Sequence, residues 1–307
     1  MKNIKRAFIM MTACSVLLSS VAFATSPVEN KITESQMVAE TCYNEYEFIT
    51  QLQGATVDEL DELGYTDEEI KEIQLFDYKD ALTDRANMPD AQLRGMGYSD
   101  AQINMLNEFA DGEADFESVA RATSATCSGR IYRSASTSST ITFVYAWNWN
   151  IAPTWVLEDR AAVGYIGIDS TGSFKAIKAD SSTSSCTLRY TYSFNDGTTS
   201  VVTEAANSFS VSSYGASCTY DEGQVLGNNT YYKWMSSGQM KIKTTKVGNY
   251  TFSKIYAMGK VAHKTFNIAV TPSVTFGTSS GVQVVFSSTT YIDTVGSKDG
   301  YVSNPNA

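Results

Sequence analysis

Between Thr140 and Ile151 the chain places Ile141, Phe143, Tyr145, Trp147 and Trp149 on one parity and Thr140, Thr142, Val144, Ala146, Asn148 and Asn150 on the other. A β-strand sends successive side chains to opposite faces, so this stretch has one fully aromatic-aliphatic face and one lighter, mostly polar face. No other stretch carries so much apolar area at so strict a period of two. It predicts a strand at the centre of a sheet.

From Cys127 onward the same period recurs in shorter runs. Leu188, Tyr190, Tyr192 and Phe194 share one face, as do Val282, Val284 and Phe286. Thr171-Gly172, Asp196-Gly197, Ser237-Gly238, Gly248-Asn249 and Ser280-Gly281 punctuate these runs as turn signals. Residues 127–295 are therefore expected to form an all-β antiparallel sandwich, followed by a flexible tail over 296–307.

Residues 25–119 read differently. A shift of 33 residues aligns Leu60 with Leu93, Gly64-Tyr65 with Gly97-Tyr98, Asp67 with Asp100, Ile70 with Ile103 and Phe76 with Phe109. Each copy predicts a short helix ended by glycine, then a new helix opened by Thr66-x-x-Glu69 or Ser99-x-x-Gln102 as a capping box. A longer helix over about 33–52 precedes the pair and a short one over about 113–121 follows it. Residues 120–126, all small except Arg121, read as a linker. The fold class expected is α+β by segregated domains, a small all-α helical-repeat domain ahead of the all-β sandwich.

Charge divides the chain at the same place. Residues 25–126 hold 23 acidic against 6 basic side chains, whereas 127–307 hold 10 against 14. With a net charge of −10 overall, the chain lacks the cation excess that nucleic acid demands. Lys2, Lys5 and Arg6, the apolar run from Ala7 to Phe23 and the Ala22-Phe23-Ala24 site read as a signal peptide over 1–24. The expected destination is secreted and extracellular, with no transmembrane segment after cleavage. A lipoprotein signal at Cys14 is the rival reading.

Cys42, Cys127, Cys186 and Cys218 remain after cleavage. An even number in an exported chain reads as disulfides, and four cysteines allow three pairings. Cys186–Cys218 within the β part and Cys42–Cys127 tying the first helix to the junction are the favoured pair; reduced buried thiols are the alternative. Without a Cys-x-x-Cys pair, zinc is disfavoured.

The segment Trp147-Asn148-Trp149-Asn150-Ile151-Ala152-Pro153-Thr154-Trp155-Val156-Leu157-Glu158-Asp159 fits W-x-W-x(3)-P-x(3)-L-x-D, and Gly259–Thr265 and Ser273–Gly277 follow it. Together these resemble secreted β-domain proteins of Gram-positive bacteria without an assigned function. The resemblance spans 127–295; it implies export and a β fold, and no activity.

Catalytic constellations are thin. His263 is the single histidine, no Gly-x-Ser-x-Gly elbow exists, and no histidine cluster offers a metal site. The sequence gives no metal or cofactor to expect. Glu158, Asp159, Asp169, Asp180, Glu204, Asp221 and Glu222 supply carboxylates for a glycosidase-type pair, although their turn-rich surroundings favour structural roles. Ligand-binding candidates are Trp155, Tyr231, Tyr232 and Trp234, as aromatics outside the strictest core pattern, and Lys241 and Lys243, as part of a basic group with Lys246, Lys254, Lys260 and Lys264. The expectation is a secreted, non-enzymatic envelope or surface interaction protein whose β-domain binds an anionic cell-wall polymer, a lipid surface or a protein. Two alternatives stand beside it: a membrane-active pore-forming effector with an acidic masking pro-domain, and a secreted hydrolase.

Overall fold

A computed structural model describes residues 37–62, 65–154, 158–221, 223–226, 231–263, 271–277, 281–287 and 300–306. The export segment, Gly64 and Trp155 lie outside the described residues. In chain order the elements are β1 (Met37–Asn44), α1 (Glu45–Gly54), α2 (Val57–Glu62), α3 (Asp67–Leu75), α4 (Tyr78–Ala86), α5 (Asp90–Gly95), α6 (Asp100–Ala110) and α7 (Phe116–Thr123). The strands continue with β2 (Thr126–Ser136), β3 (Thr140–Trp149), β4 (Glu158–Asp169), β5 (Phe174–Lys175), β6 (Ile177–Ala179), β7 (Ser185–Phe194), β8 (Thr199–Ala205), β9 (Ser210–Val211) and β10 (Gly215–Asp221). They end with β11 (Gly223–Leu226), β12 (Tyr231–Lys246), β13 (Phe252–His263), β14 (Thr271–Gly277), β15 (Gly281–Ser287) and β16 (Gly300–Ser303). Helices therefore dominate the first part and antiparallel sheets the rest, an α+β arrangement.

The larger sheet runs β1-β2-β3-β12-β7-β8, with β6 and β11 also pairing β12; the smaller runs β16-β13-β4-β10-β9, with β5 on β4. β3 occupies an interior position, and its aromatic parity is buried: Ile141, Phe143, Tyr145, Trp147 and Trp149 are at most 3% exposed. That row meets the smaller sheet directly. Phe143 lies edge-on to Tyr165 of β4 at 5.4 Å, and Trp147 stacks on Tyr220 of β10 at 5.8 Å. Two glycines make room for it. A Cβ on Gly238 of β12 would collide with the Trp147 ring, and one on Gly259 of β13 with the Tyr145 ring. The outer face of the smaller sheet buries Ile166, Ile168 and Tyr256, and the β14–β15 pair lies against β4, β10 and β13.

The two Gly–Tyr turns close with the same bond. Tyr65 N–H donates to Leu60 O at 3.0 Å and Tyr98 N–H to Leu93 O at 3.1 Å; at the second turn this closes a helix ended by a left-handed residue. Gly97 has φ +95°, and Ser99 and Gln102 make a reciprocal capping box at the start of α6.

Five expectations are corrected. The helix expected over 33–52 begins only at Glu45, where Asn44 accepts from Glu47 N–H as its N-cap; Met37–Asn44 instead pair antiparallel with β2. The open hydrogen-bonding edge of β2 outweighs local helix propensity. No separate linker covers 120–126, because α7 runs to Thr123 and β2 starts at Thr126. Ser237-Gly238 is not a turn: β12 runs through it, and the glycine serves Trp147. The tail is not loose, since β16 pairs β13, Val302 is buried, and Asn304 Nδ2 donates to Thr137 O and Phe252 O at 2.8 Å. Finally, Cys127, Cys186 and Cys218 are reduced, buried thiols in this structure. The β1–β2 register sets Cys42 opposite Ser128 and Cys127 opposite Tyr43, so the two positions are not paired across the ladder.

Helices and sheets belong to one compact unit, Thr33–Ala307. The docking point is the segment after β3. Ala152 N–H donates to Met96 O at 2.8 Å, and Thr154 N–H to the buried Glu45 carboxylate at 2.8 and 3.1 Å. The buried Arg85 of α4 donates through Nη2 to Pro153 O at 2.9 Å, beneath the rings of Tyr232 (5.1 Å) and Tyr98 (5.9 Å). Burial works against the Arg85 charge, but the surrounding Tyr98, Tyr232 and Glu45 more than offset it, and the guanidinium stays charged.

This docking predicts a contrast between two positive-φ glycines. A Cβ on Gly97 would lie 2.6 Å from Asn150 O and 3.0 Å from Ile151 Cα, whereas one on Gly112 (φ +75°) meets nothing within 4 Å. Gly112→Ala is expected to cost about 1–2 kcal/mol from backbone strain alone. Gly97→Ala is expected to cost about 1–3 kcal/mol more, from overpacking against the sheet layer. Urea unfolding of the two variants checks the difference; equal losses would mean that the helices do not press on this segment.

Candidate functional site

The outer face of the larger sheet carries the site. Alternation along β12 turns Met240, Ile242 and Thr244 inward, where all three are fully buried, and leaves Gln239, Lys241 and Lys243 on the other side. Gln239 and Lys241 are exposed and Lys243 is half-buried. Register fixes their neighbours. Lys241 stands between Val144 of β3 and Ser185 of β7, and Lys243 beside Thr142. Gln239 stands between Ala146 and Thr187, with Arg130 of β2 one strand beyond Ala146; Arg189 of β7 stands beside Ser237. Four cations thus share one face, on three of the four successive strands β2-β3-β12-β7. Although Val144 and Thr142 lie on this outer face, they are only 5% and 8% exposed. Long basic side chains cover apolar surface with their stems while the charge stays in water.

Local bonds hold this face in place. Ser184 Oγ accepts from Lys243 N–H at 3.2 Å, and Asp180 N–H donates to Lys243 O at 2.9 Å. Ser236 Oγ donates to Arg189 O at 3.1 Å, and Ser128 Oγ to Asn148 Oδ1 at 3.0 Å. The Asp180 carboxyl sits below its usual range, mainly through the Ser182 hydroxyl and more weakly through the Lys243 charge. Glu40 of β1 stands opposite Arg130 in register.

The aromatic candidates do not join the cations. Tyr232 and Trp234 stand opposite Ser193 and Thr191, before a one-residue slip of the ladder between Met235 and Ser237. That bulge turns these even-numbered residues of β12 to the outer face, yet they are only 3% and 4% exposed there. Tyr232 then packs on Arg85 and donates to Pro153 O at 3.3 Å, in the seam with the helices. Tyr231 is half-buried, its ring 5.2 Å from Phe194 and 6.0 Å from Tyr192. The basic group also divides. Lys246 donates to Tyr250 O at 2.7 Å, and Lys254 belongs to β13 of the other sheet. Arg130 and Arg189 were missed by sequence reasoning; their shared parity with Ala146 and Ser237 across the ladder was the available signal.

Two of the carboxylates considered for hydrolysis, Asp169 and Asp180, are spent on turns. Asp169 accepts from Thr171 Oγ1 at 2.6 Å, Thr171 N–H at 2.9 Å and Ser173 N–H at 3.0 Å, with Lys175 Nζ at 3.1 Å. Asp180 accepts from Ser182 Oγ at 2.6 Å. Asp159 is fully buried and stands opposite His263 across the β4–β13 ladder. Two others meet: Glu204 and Asp221 line a groove of about 210 Å³ with Leu188, Tyr190, Asn207 and Ser208. Lys233 Nζ lies 4.1 Å from the Tyr190 ring centre, and burial, aided by Asp221 and Glu204, pushes the Tyr190 phenol up. Among the described residues no three His, Cys, Asp or Glu side chains gather as a metal site.

No family model and no curated protein matches the chain. Among solved structures, a chain described as "AvmM Catalyzes Macrocyclization in Alchivemycin A Biosynthesis" is 6% identical over 58% of this chain and 90% of its own length, with a TM-score of 0.23. A likeness at that level carries no argument about function.

Asp169 generates a pH prediction. The Thr171 hydroxyl, the Ser173 and Thr171 amides and Lys175 hold its carboxyl far below the ordinary range. A depressed folded pKa stabilises the fold fully above the unfolded value of about 3.9 and loses that stability as pH falls toward the folded value. Wild type should therefore exceed Asp169→Asn in urea midpoint at pH 7, with the gap shrinking below about pH 4. A gap that stays constant down to pH 3 would contradict the assignment.

Proposed function

We propose that this chain is an exported, non-enzymatic surface interaction protein that binds a phosphate-bearing anionic wall polymer through the outer face of its larger sheet. The observation that carries the reading is the placement of Lys241 and Lys243 on interior strand β12, with Arg130 and Arg189 on the flanking parts of the same face. A protein with 33 acidic and 23 basic residues sets these four cations together on a face of Ser, Thr, Ala and Gln. Such a face attracts a polyanion by charge and offers its flat hydroxyl-rich surface to an extended chain. The two facing sheets are read as a β-sandwich and α2–α3 with α5–α6 as two copies of one helical unit. Lys2, Lys5, Arg6 and the apolar run after them support export.

A second reading rests on β14 and β15, which form their own two-stranded sheet with Val274 opposite Val284 and Phe276 opposite Val282. An alternating hairpin of this kind suits membrane insertion. The masking role of the acidic part has less support, because β1 is a strand of the larger sheet and the helices share its core. Among the described residues no helix is long and apolar enough to cross a membrane.

Binding of the full chain to poly(glycerol phosphate) tests the proposal. Each exposed cation near an anionic surface contributes about 1 kcal/mol, so Lys241→Glu with Lys243→Glu should weaken binding more than about tenfold. Raising salt should weaken it further, since charges are screened beyond about 8–10 Å near physiological ionic strength. Lys254→Glu, on the other sheet, should leave it unchanged. Equal binding by all three proteins, or release of dye from phosphatidylglycerol vesicles without polymer binding, would overturn the proposal.

A further inference from the structure

Cys186 and Cys218 come from different sheets. Cys186 lies in β7 opposite Met240 of β12, and Cys218 in β10 opposite Ala161 of β4. Both point into the space between the sheets, at 3% and 1% exposure. Their thiols share a hydrogen bond, and this bond first, then burial, raises the Cys218 pKa well above its ordinary value. Both positions are fixed by backbone bonds: Ala206 N–H donates to Cys186 O at 3.1 Å, and Cys218 sits within the seven-residue β4–β10 ladder. Two residues beyond each cysteine, the strands carry the walls of the acidic groove, Leu188 and Tyr190 on β7 and Tyr220 and Asp221 on β10.

We propose that Cys186 and Cys218 are the site of an inter-sheet disulfide that fixes the separation of these two walls. The co-reactant is a small-molecule or protein disulfide, R–S–S–R. One cysteine thiolate attacks a sulfur of R–S–S–R, forming a mixed disulfide and releasing one R–S⁻. The second thiolate attacks the protein sulfur of that mixed disulfide, closing the Cys186–Cys218 bond and releasing the other R–S⁻. The protein loses two electrons and two protons, and the oxidant becomes two R–SH. Burial and the raised Cys218 pKa make this exchange slow in the closed fold, because the thiolate is the attacking species. Oxidation therefore belongs to folding or to transient opening, and the finished bond is shielded from reduction by the same burial.

The proposal goes beyond the reading of the cationic face and does not depend on it. The full chain is refolded from urea with a mixture of reduced and oxidised glutathione, then alkylated in denaturant and digested without reduction. The expected result is a loss of two hydrogens and a linked peptide pair containing Cys186 and Cys218. The urea midpoint should rise on oxidation, and amides of β8 and β10 should exchange more slowly. Cys186→Ala with Cys218→Ala should show neither change, while Cys42→Ala should show both. Alkylation of both Cys186 and Cys218 after oxidative refolding, or linkage of either to Cys127 or Cys42, would overturn the proposal.

Discussion

The rings of Tyr145 and Trp147 occupy space that side chains at Gly259 and Gly238 would fill, and the joining of the two sheets depends on that complementarity. The rings stack on each other at 5.5 Å and continue onto Tyr220 at 5.8 Å, forming an aromatic column between the layers. A buried ring of this size removes about 150–250 Å² from water. At about 25 cal/mol per Å² that is about 4–6 kcal/mol per ring, an upper bound because the unfolded chain already hides some of this surface. Since Gly238 lies in β12 and Gly259 in β13, the β3 row sets the register of one sheet against the other. It also defines which parity of β12 faces outward, and with it the position of Lys241 and Lys243.

The helical layer depends on the same strand through its exit. Immediately after Trp149 the chain runs through Asn150–Thr154, whose backbone bonds Met96, Glu45 and Arg85. Burying a carboxylate and a guanidinium at one seam is expensive unless their hydrogen-bonding groups find partners. Here the Thr154 amide, the Pro153 carbonyl and two phenol rings supply them. Such a seam contributes less to net stability than to fixing a single orientation of helices on sheet. The strong acidity of the first part is therefore a property of its solvent face, while its inner face is continuous with the β core.

Local pattern made the β3 row and the Gly97–Tyr98 turn legible, because strand alternation and capping need only neighbouring residues. What escaped was set by distant partners. Met37–Asn44 has no strand alternation of its own and becomes a strand because β2 presents an unpaired edge. Gly238 has the composition of a turn, yet its place is decided by a tryptophan some ninety positions earlier. Tyr232 and Trp234 share the parity of Met240 and Ile242, yet the bulge that separates them turns the two aromatics to the other face, which no count along the strand reveals. The cationic face was half legible: Lys241 and Lys243 alternate on one strand, but Arg130 and Arg189 join them only through ladder register.

One cooperative unit built around β3 is the central claim, and equilibrium unfolding of the full chain with two probes tests it most directly. All four tryptophans lie at or after position 147, so their fluorescence reports the β part, whereas far-ultraviolet circular dichroism at the helical band reports α1–α7. The account predicts coincident urea transitions from the two signals, the signature of all-or-none unfolding. Loss of the helical signal at lower urea, with tryptophan fluorescence still native, would contradict it.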